Sequence, residues 1–204
     1  MFKKSLIALA LMGAAVTANA ASTNLVQNGS FEANAQASGT WNIYSNLTGW
    51  TGGSNGIELR DNVAGTASHG TNFVELDTTG NSSMSQSINT VLGREYVLSF
   101  DFTNRPGTAV STNGLSWKFG STSGFAPTVT DFVWHTFTTT VLGTGGAMAL
   151  EFAAINGSNS FGSSIDNVSV TATPIPAAVW LFGTGIASLF DFSKRKKMNN
   201  SVNA

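Results

Sequence analysis

Few side chains in this sequence have the types and spacing that catalysis needs. The chain contains two histidines, His69 and His135, and no cysteine. It has no G-x-S-x-G, H-E-x-x-H or Walker motif, which would mark a nucleophile, a zinc site or a phosphate-binding loop. Glu75 and Asp77 have the i, i+2 spacing that puts two carboxylates on one face of a strand, about 7 Å apart. A glycosidase could use such a pair, but a polar strand face explains it more simply, so we predict a non-catalytic protein.

Sugar binding suits the available side chains better. Carbohydrate sites combine aromatic platforms with polar groups that hydrogen-bond to hydroxyls. Trp41 and Tyr44 lie in a polar stretch, and Arg60 and Arg105 lie at the ends of predicted strands, from which they could reach hydroxyl groups or uronic acids. We therefore predict a ligand site formed by these four residues. The alternative is that both arginines are solvated surface residues.

Composition narrows the possible partners. The chain has 204 residues, of which 10% are charged and 42% hydrophobic, with 14 Phe. This composition excludes a disordered protein, and the lack of cysteine excludes a disulfide framework and a cysteine-ligated zinc site. Residues 21–173 contain four basic and ten acidic residues, a net charge of −6. An acidic body favours divalent cations over phosphates and excludes nucleic acid as a partner.

The N-terminus is predicted to be a secretory signal peptide over residues 1–20. Lys3 and Lys4 precede an apolar run from Leu6 to Val16, and Ala18 and Ala20 supply the small residues of a cleavage site. The alternative is an uncleaved membrane anchor, for which the apolar run is short. We therefore expect export through the inner membrane.

A second apolar run, residues 177–190, is predicted to be a transmembrane helix. Its 14 residues would extend about 21 Å as a helix, against a hydrocarbon core of ~30 Å. Counting residues 176–193 gives 18, and the basic residues that follow can snorkel to the interface. Cationic flanks stay cytoplasmic, which would place residues 21–173 on the outer side of the inner membrane.

The C-terminal region resembles the PEP-CTERM sorting signal. It contains Pro174-Ile175-Pro176, the apolar run, and then Lys194, Arg195, Lys196 and Lys197, with Ile175 in the place of the family's usual Glu. The resemblance implies that residues 174–197 are a sorting signal recognised by an exosortase-type membrane protease, followed by a polar tail over 198–204. It also implies a Gram-negative source and a link to exopolysaccharide production.

Residues 21–173 are predicted to form one all-β domain. Tyr96, Leu98, Phe100 and Phe102 alternate with other residues and give one apolar face at a period of two. Similar short runs are separated by Gly, Asn, Ser and Thr clusters. We predict about nine strands, at 24–27, 56–60, 72–77, 83–89, 94–104, 114–119, 132–142, 147–155 and 165–171. Nine strands in one domain indicate a single β-sandwich.

The order of motifs resembles galactose-binding-like jelly rolls, which include many carbohydrate-binding modules. The motifs are Asn24–Glu32, Gly49-Trp50, Ile57–Leu59, Phe73–Asp77, Tyr96–Asp101, Trp134–Thr138 and Ile165–Val170. The resemblance implies two sheets with adjacent first and last strands. It also implies a structural Ca²⁺ where these strands meet, held by Glu32, Asp166 and a carbonyl near Gly29. The alternative is that both carboxylates only accept hydrogen bonds.

These observations predict a secreted envelope or biofilm-matrix protein, sorted by an exosortase and transiently anchored in the inner membrane. Its β-sandwich is expected to bind extracellular polysaccharide without catalysis. Two alternatives stay open: a structural matrix protein without a specific small ligand, and an extracellular glycoside-active enzyme.

Overall fold

Eight of the nine predicted segments form strands. The computed structural model describes residues 23–174, and these contain twelve strands and a single 3-10 turn at Val110–Thr112. The strands are β1 (Trp41–Tyr44), β2 (Asn46–Leu47), β3 (Trp50–Gly52), β4 (Ile57–Asp61), β5 (Asn72–Glu75), β6 (Ser83–Thr90), β7 (Glu95–Thr103), β8 (Leu115–Phe119), β9 (Thr122–Phe125), β10 (His135–Leu142), β11 (Gly146–Ala154) and β12 (Ser164–Ala172). The prediction of an all-β body is confirmed for these residues.

The strands form two six-stranded antiparallel sheets. The first sheet has the order β1-β4-β5-β12-β7-β10, and the second has the order β2-β3-β6-β11-β8-β9. Alternate side chains of both sheets share one hydrophobic core; Phe100 of β7, for example, meets Phe152 of β11 edge-on at 4.9 Å between ring centroids. The molecule is therefore a β-sandwich.

The number of strands differs from the predicted nine. β1, β2, β3 and β9 have only two to four residues each, and β1, β2 and β9 lie at sheet edges. An edge strand has one pairing partner and is largely solvated, so it does not need the apolar alternation that marks a central strand. The predicted strand at 24–27 is reduced to one bridge, between Asn24 and Thr171.

The two ends of the sandwich sequence lie side by side, as expected. The Leu25 N–H donates to the Val170 carbonyl at 2.8 Å, and the Val168 N–H donates to the Gly29 carbonyl at 2.9 Å. A Cβ atom at Gly29 would lie 2.0 Å from the Val168 carbonyl oxygen, so only glycine fits this contact.

The predicted sorting elements fall largely outside the described residues. The signal peptide over 1–20, the membrane helix over 177–190, the basic cluster and the polar tail all lie there. Between residues 23 and 174, no helix has the length and apolar character required to cross a bilayer.

Candidate functional site

The outer face of the first sheet carries charged side chains that are nevertheless buried. Glu58 and Arg60 alternate on β4 with the core residues of that strand, and Glu75, Asp101 and Asp166 occupy β5, β7 and β12. All five residues are at most 7% exposed. A sheet face turned away from the core can be buried only if other chain segments cover it.

Two loops provide much of this cover. The loop 62–71 follows β4, and its Ser68 hydroxyl donates to Asp101 at 2.5 Å. The loop 126–134 precedes β10, and its Trp134 indole N–H donates to the Thr66 carbonyl at 2.9 Å. The hydrogen bond from Trp134 therefore ties one covering loop to the other.

A cavity of about 370 Å³ lies between these loops and the sheet, within the usual ~300–1,000 Å³ of small-ligand pockets. Phe73 and Trp134 meet edge-on in the lining, with ring centroids 5.9 Å apart. Phe132 also lines the cavity and is 51% exposed. The remaining lining residues are Ala64, Gly65, Thr66, Thr103, Pro106 and Ser164. No lining residue is charged, so the cavity suits a neutral ligand with apolar and hydroxyl surfaces.

A buried ion network supports the cavity from one side. Arg60 Nε donates to Glu58 Oε1 at 2.7 Å, and Arg60 also pairs with Glu75. Arg105, from the loop after β7, reaches Glu75 Oε2 at 3.2 Å. The Arg60 guanidinium carbon lies 5.8 Å from the centroid of the Phe73 ring. The network thus helps to hold the aromatic ring that lines the cavity.

Glu75 of this network has a strongly raised pKa. Burial raises the pKa of Glu75 to about 7, although Arg60, the Gly162 N–H and Arg105 all favour the charged form. Burial also lowers the pKa of Arg105, and the nearby charge of Arg60 lowers it further. The desolvation of these side chains explains both shifts.

The four predicted ligand residues occupy different environments. Trp41 is 54% exposed and is the cross-strand partner of Arg60 on the outer face of the first sheet. Arg60 is fully buried, and Arg105 is partly buried against the ring of Phe161 at 4.2 Å. Both arginines join the ion network, so they are not simply solvated residues. Tyr44 packs against the hydrophobic core instead.

The three predicted calcium ligands each have a protein partner. Glu32 accepts hydrogen bonds from the Thr71 N–H at 2.8 Å and the Asn72 N–H at 2.7 Å. Asp166 accepts one from the His69 N–H at 2.8 Å, while the Gly29 carbonyl receives Val168, as described above. These are oxygen donors of the kind that Ca²⁺ prefers. Within residues 23–174, however, no three Asp, Glu or His side chains converge as a metal cluster would.

The carboxylate pair considered for catalysis is engaged in structural contacts. Glu75 belongs to the ion network, and Asp77 receives the Ser158 hydroxyl at 2.6 Å and the Asn159 N–H at 3.0 Å. His135 contacts Asp131 at 2.7 Å between Nε2 and Oδ1. That hydrogen bond lowers the pKa of Asp131.

The sequence pattern does not single out two of the three cavity aromatics, Phe73 and Phe132. It places Phe73 in the predicted strand over 72–77 and Phe132, together with Trp134, in the predicted strand over 132–142. The strand begins at His135 instead, so both aromatics belong to the covering loop. The sequence feature that could have indicated this set is the cluster Phe132-Val133-Trp134 directly after Asp131.

Comparisons with known proteins identify the fold only. The chain matches no family model and no curated protein sequence. Among solved structures, TmCBM61 in complex with β-1,4-galactotriose is 15% identical, with 74% of this chain and 100% of that chain covered and a TM-score of 0.50. The arabinose-bound α-L-arabinofuranosidase MgGH51 is 16% identical, with coverage of 74% and 27% and a TM-score of 0.51. The module CBM6cm-2 from Cellvibrio mixtus lichenase 5A, in complex with cellotriose, is 14% identical, with coverage of 68% and 100% and a TM-score of 0.43.

Proposed function

We propose that this chain is a secreted protein whose β-sandwich binds extracellular polysaccharide without catalysis. The observation that carries the proposal is the uncharged cavity on the first sheet, with Phe73, Trp134 and Phe132 in its lining. Exposed aromatic rings such as that of Phe132 bind the apolar faces of sugars, while a hydroxyl group such as that of Thr66, which is exposed in the lining, hydrogen-bonds to their edges. Trp41 adds an exposed ring on the same sheet face, separated from Phe73 by Arg60.

The uncharged lining favours a neutral sugar over a uronic acid. The arginines nearest the cavity are paired with Glu58 and Glu75, and the domain carries a net charge of −6 over residues 21–173. An acidic polymer would therefore meet repulsion without a free cation in the cavity lining. A β-1,4-galactan is a suitable first probe, since TmCBM61 has the same fold and was solved with β-1,4-galactotriose.

The proposal includes the cellular setting predicted by the two ends of the chain. Residues 1–20 direct export, and residues 174–197 direct recognition by an exosortase-type protease after transient anchoring in the inner membrane. The support for this part is the residue pattern of Pro174-x-Pro176, the apolar run and the basic cluster. The product is an envelope or matrix protein that holds polysaccharide.

Binding measurements on an array of neutral and acidic polysaccharides test the proposal, together with an assay for released reducing ends. We expect binding to a neutral polysaccharide and no release. Release of reducing sugar would instead support the glycoside-active alternative. An array without binding, combined with self-assembly of the protein, would support the structural-matrix alternative.

A further inference from the structure

Three exposed aliphatic side chains lie together at one end of the sandwich, which we call the apolar tip. Val91 and Leu92, in the turn between β6 and β7, are 59% and 76% exposed, and Leu142, at the end of β10, is 59% exposed. The two segments are held together, because the Gly93 N–H donates to the Gly143 carbonyl at 2.9 Å. Exposed apolar side chains that lie together mark sites of contact with a protein or a membrane. The apolar tip is therefore a candidate contact surface.

The described chain leaves the sandwich at this same end. The Thr173 N–H donates to the Glu95 carbonyl at 3.0 Å, and Arg94 Nη2 lies 3.5 Å from the Thr173 carbonyl. Arg94 and Glu95 directly follow the turn that carries Leu92. The last described contacts of the domain are therefore made beside the apolar tip.

The distance from this exit to the next apolar segment is short. Ala177, the first residue of the apolar run over 177–190, is four residues after Thr173. Four residues span at most about 14 Å when fully extended. If the apolar run enters a bilayer, Thr173 cannot lie farther than this from the bilayer surface.

The described chain also begins at this end. Asn24 pairs antiparallel with Thr171, so Thr23, the first described residue, lies at the same end of the sheet as Ala172 and Thr173. A precursor that retains both predicted apolar segments would therefore enter one membrane from one end of the domain.

The charge distribution fits the same orientation. Of the ten acidic residues in 21–173, only Glu95 lies in or next to the turns of the tip, and it follows Arg94. An acidic domain near an anionic bilayer is repelled within a Debye length of about 8 Å. The end with the fewest acids is the one that can approach the bilayer most closely.

The cavity lies at the other end of the sheet. Thr103, which lines it, ends β7, whereas Glu95 begins that strand at the tip. Eight residue steps along a strand correspond to about 27 Å. A domain whose tip faces a bilayer would therefore present the cavity away from it.

We propose that Val91, Leu92 and Leu142 form a lipid-contacting surface that orients the sandwich on the membrane before sorting, with the sugar-binding cavity pointing outward. This inference rests on the proposed anchoring through residues 177–190. Apolar surface held beside a membrane gains free energy by burial at the boundary between headgroups and acyl chains, and such burial at the tip would orient the anchored domain.

Depth-dependent fluorescence quenching in vesicles tests the inference. The full chain is reconstituted in vesicles of phosphatidylethanolamine and phosphatidylglycerol that contain acyl-chain quenchers. Because the chain has no cysteine, Leu92→Cys gives a single site for a fluorescent label. The matched control is Ser54→Cys, an exposed site beside Gly53, whose N–H donates to Ser83 at the far end of β6.

We expect the label at position 92 to be quenched several-fold more strongly than the label at position 54. Equal quenching at the two positions, in chains that float with the vesicles, would overturn the lipid-contacting tip alone. Chains that do not float would overturn the anchoring and the inference with it. That result would leave polysaccharide binding, measured separately on the array, unaffected.

Discussion

Asp101 and Asp166 are direct cross-strand partners on β7 and β12, and both carboxylates are buried. Asp101 receives hydrogen bonds from the side chains of Ser68, Thr136 and Asn167. Asp166 instead receives backbone N–H groups, including that of His69. Burial raises the pKa of Asp166 to about 7, and the charge of Asp101 adds to the increase. Because two buried carboxylates lie opposite each other in the sheet, the stability of the folded domain depends on pH and on bound cations.

We predict that the domain loses stability as pH rises from about 4 to 7. A folded-state pKa raised above the unfolded value means that folded Asp166 keeps a proton which the unfolded chain has already released. The destabilising effect of ionising Asp166 is absent below about pH 4 and complete above about pH 7, where it reaches on the order of 4 kcal/mol. Glu75, with its pKa also raised to about 7, contributes with the same sign.

Asp166→Asn should reduce the slope of the free energy of unfolding against pH. Urea denaturation of residues 21–173 between pH 4 and 8 measures this slope. The control is Glu151→Gln, a carboxylate on the outer face of the second sheet, which should keep the slope of the unmodified chain. A slope unchanged by Asp166→Asn would contradict the assignment.

We predict that Ca²⁺ stabilises the folded domain through Glu32, Asp166 and the carbonyl of Gly29. A cation that binds only the folded state adds about 2.7 kcal/mol at a hundredfold excess over its Kd. For a domain of this size the gain corresponds to a melting shift on the order of 5–10 °C. Melting curves in chelator and in millimolar calcium measure it, and Asp166→Asn should abolish the shift. Superimposable curves would mean that both carboxylates serve only as hydrogen-bond acceptors.

We predict that Phe132→Ala weakens polysaccharide binding about tenfold, equivalent to about 1.4 kcal/mol, because it removes an aromatic ring from the cavity rim. Phe125→Ala is the matched control: its ring is 68% exposed but lies on β9 of the second sheet. Titration of both variants with β-1,4-galactan, or with the polysaccharide identified on the array, gives the two affinities. An equal loss of affinity in the two variants would show that the cavity rim is not the binding surface.

We predict that the mature surface form lacks residues 194–204, because an exosortase-type protease would cleave before the basic cluster. Intact-mass measurement of protein purified from the envelope reports the C-terminal residue directly. A mass that still includes Lys194 to Ala204 would contradict processing of this segment.

The sequence alone determined the all-β class and most of the central strands, whereas the adjacency of the domain's two ends was implied by the resemblance to galactose-binding-like jelly rolls. Central strands such as β7 bury alternate residues against a common core, so Tyr96, Leu98, Phe100 and Phe102 carry a strong local pattern. The edge strands β1, β2 and β9 lacked this pattern because their residues remain largely solvated.

Only the tertiary structure decided what the polar residues do. Arg60 and Arg105 are 45 positions apart in the chain, yet both contact Glu75, because the loop after β7 folds over the outer face of the first sheet. Phe73 and Trp134 meet because a different loop, residues 126–134 before β10, covers the same face. Covering loops follow no periodic rule, since long-range contacts and not local spacing fix their paths, so the cavity could not be derived from residue order.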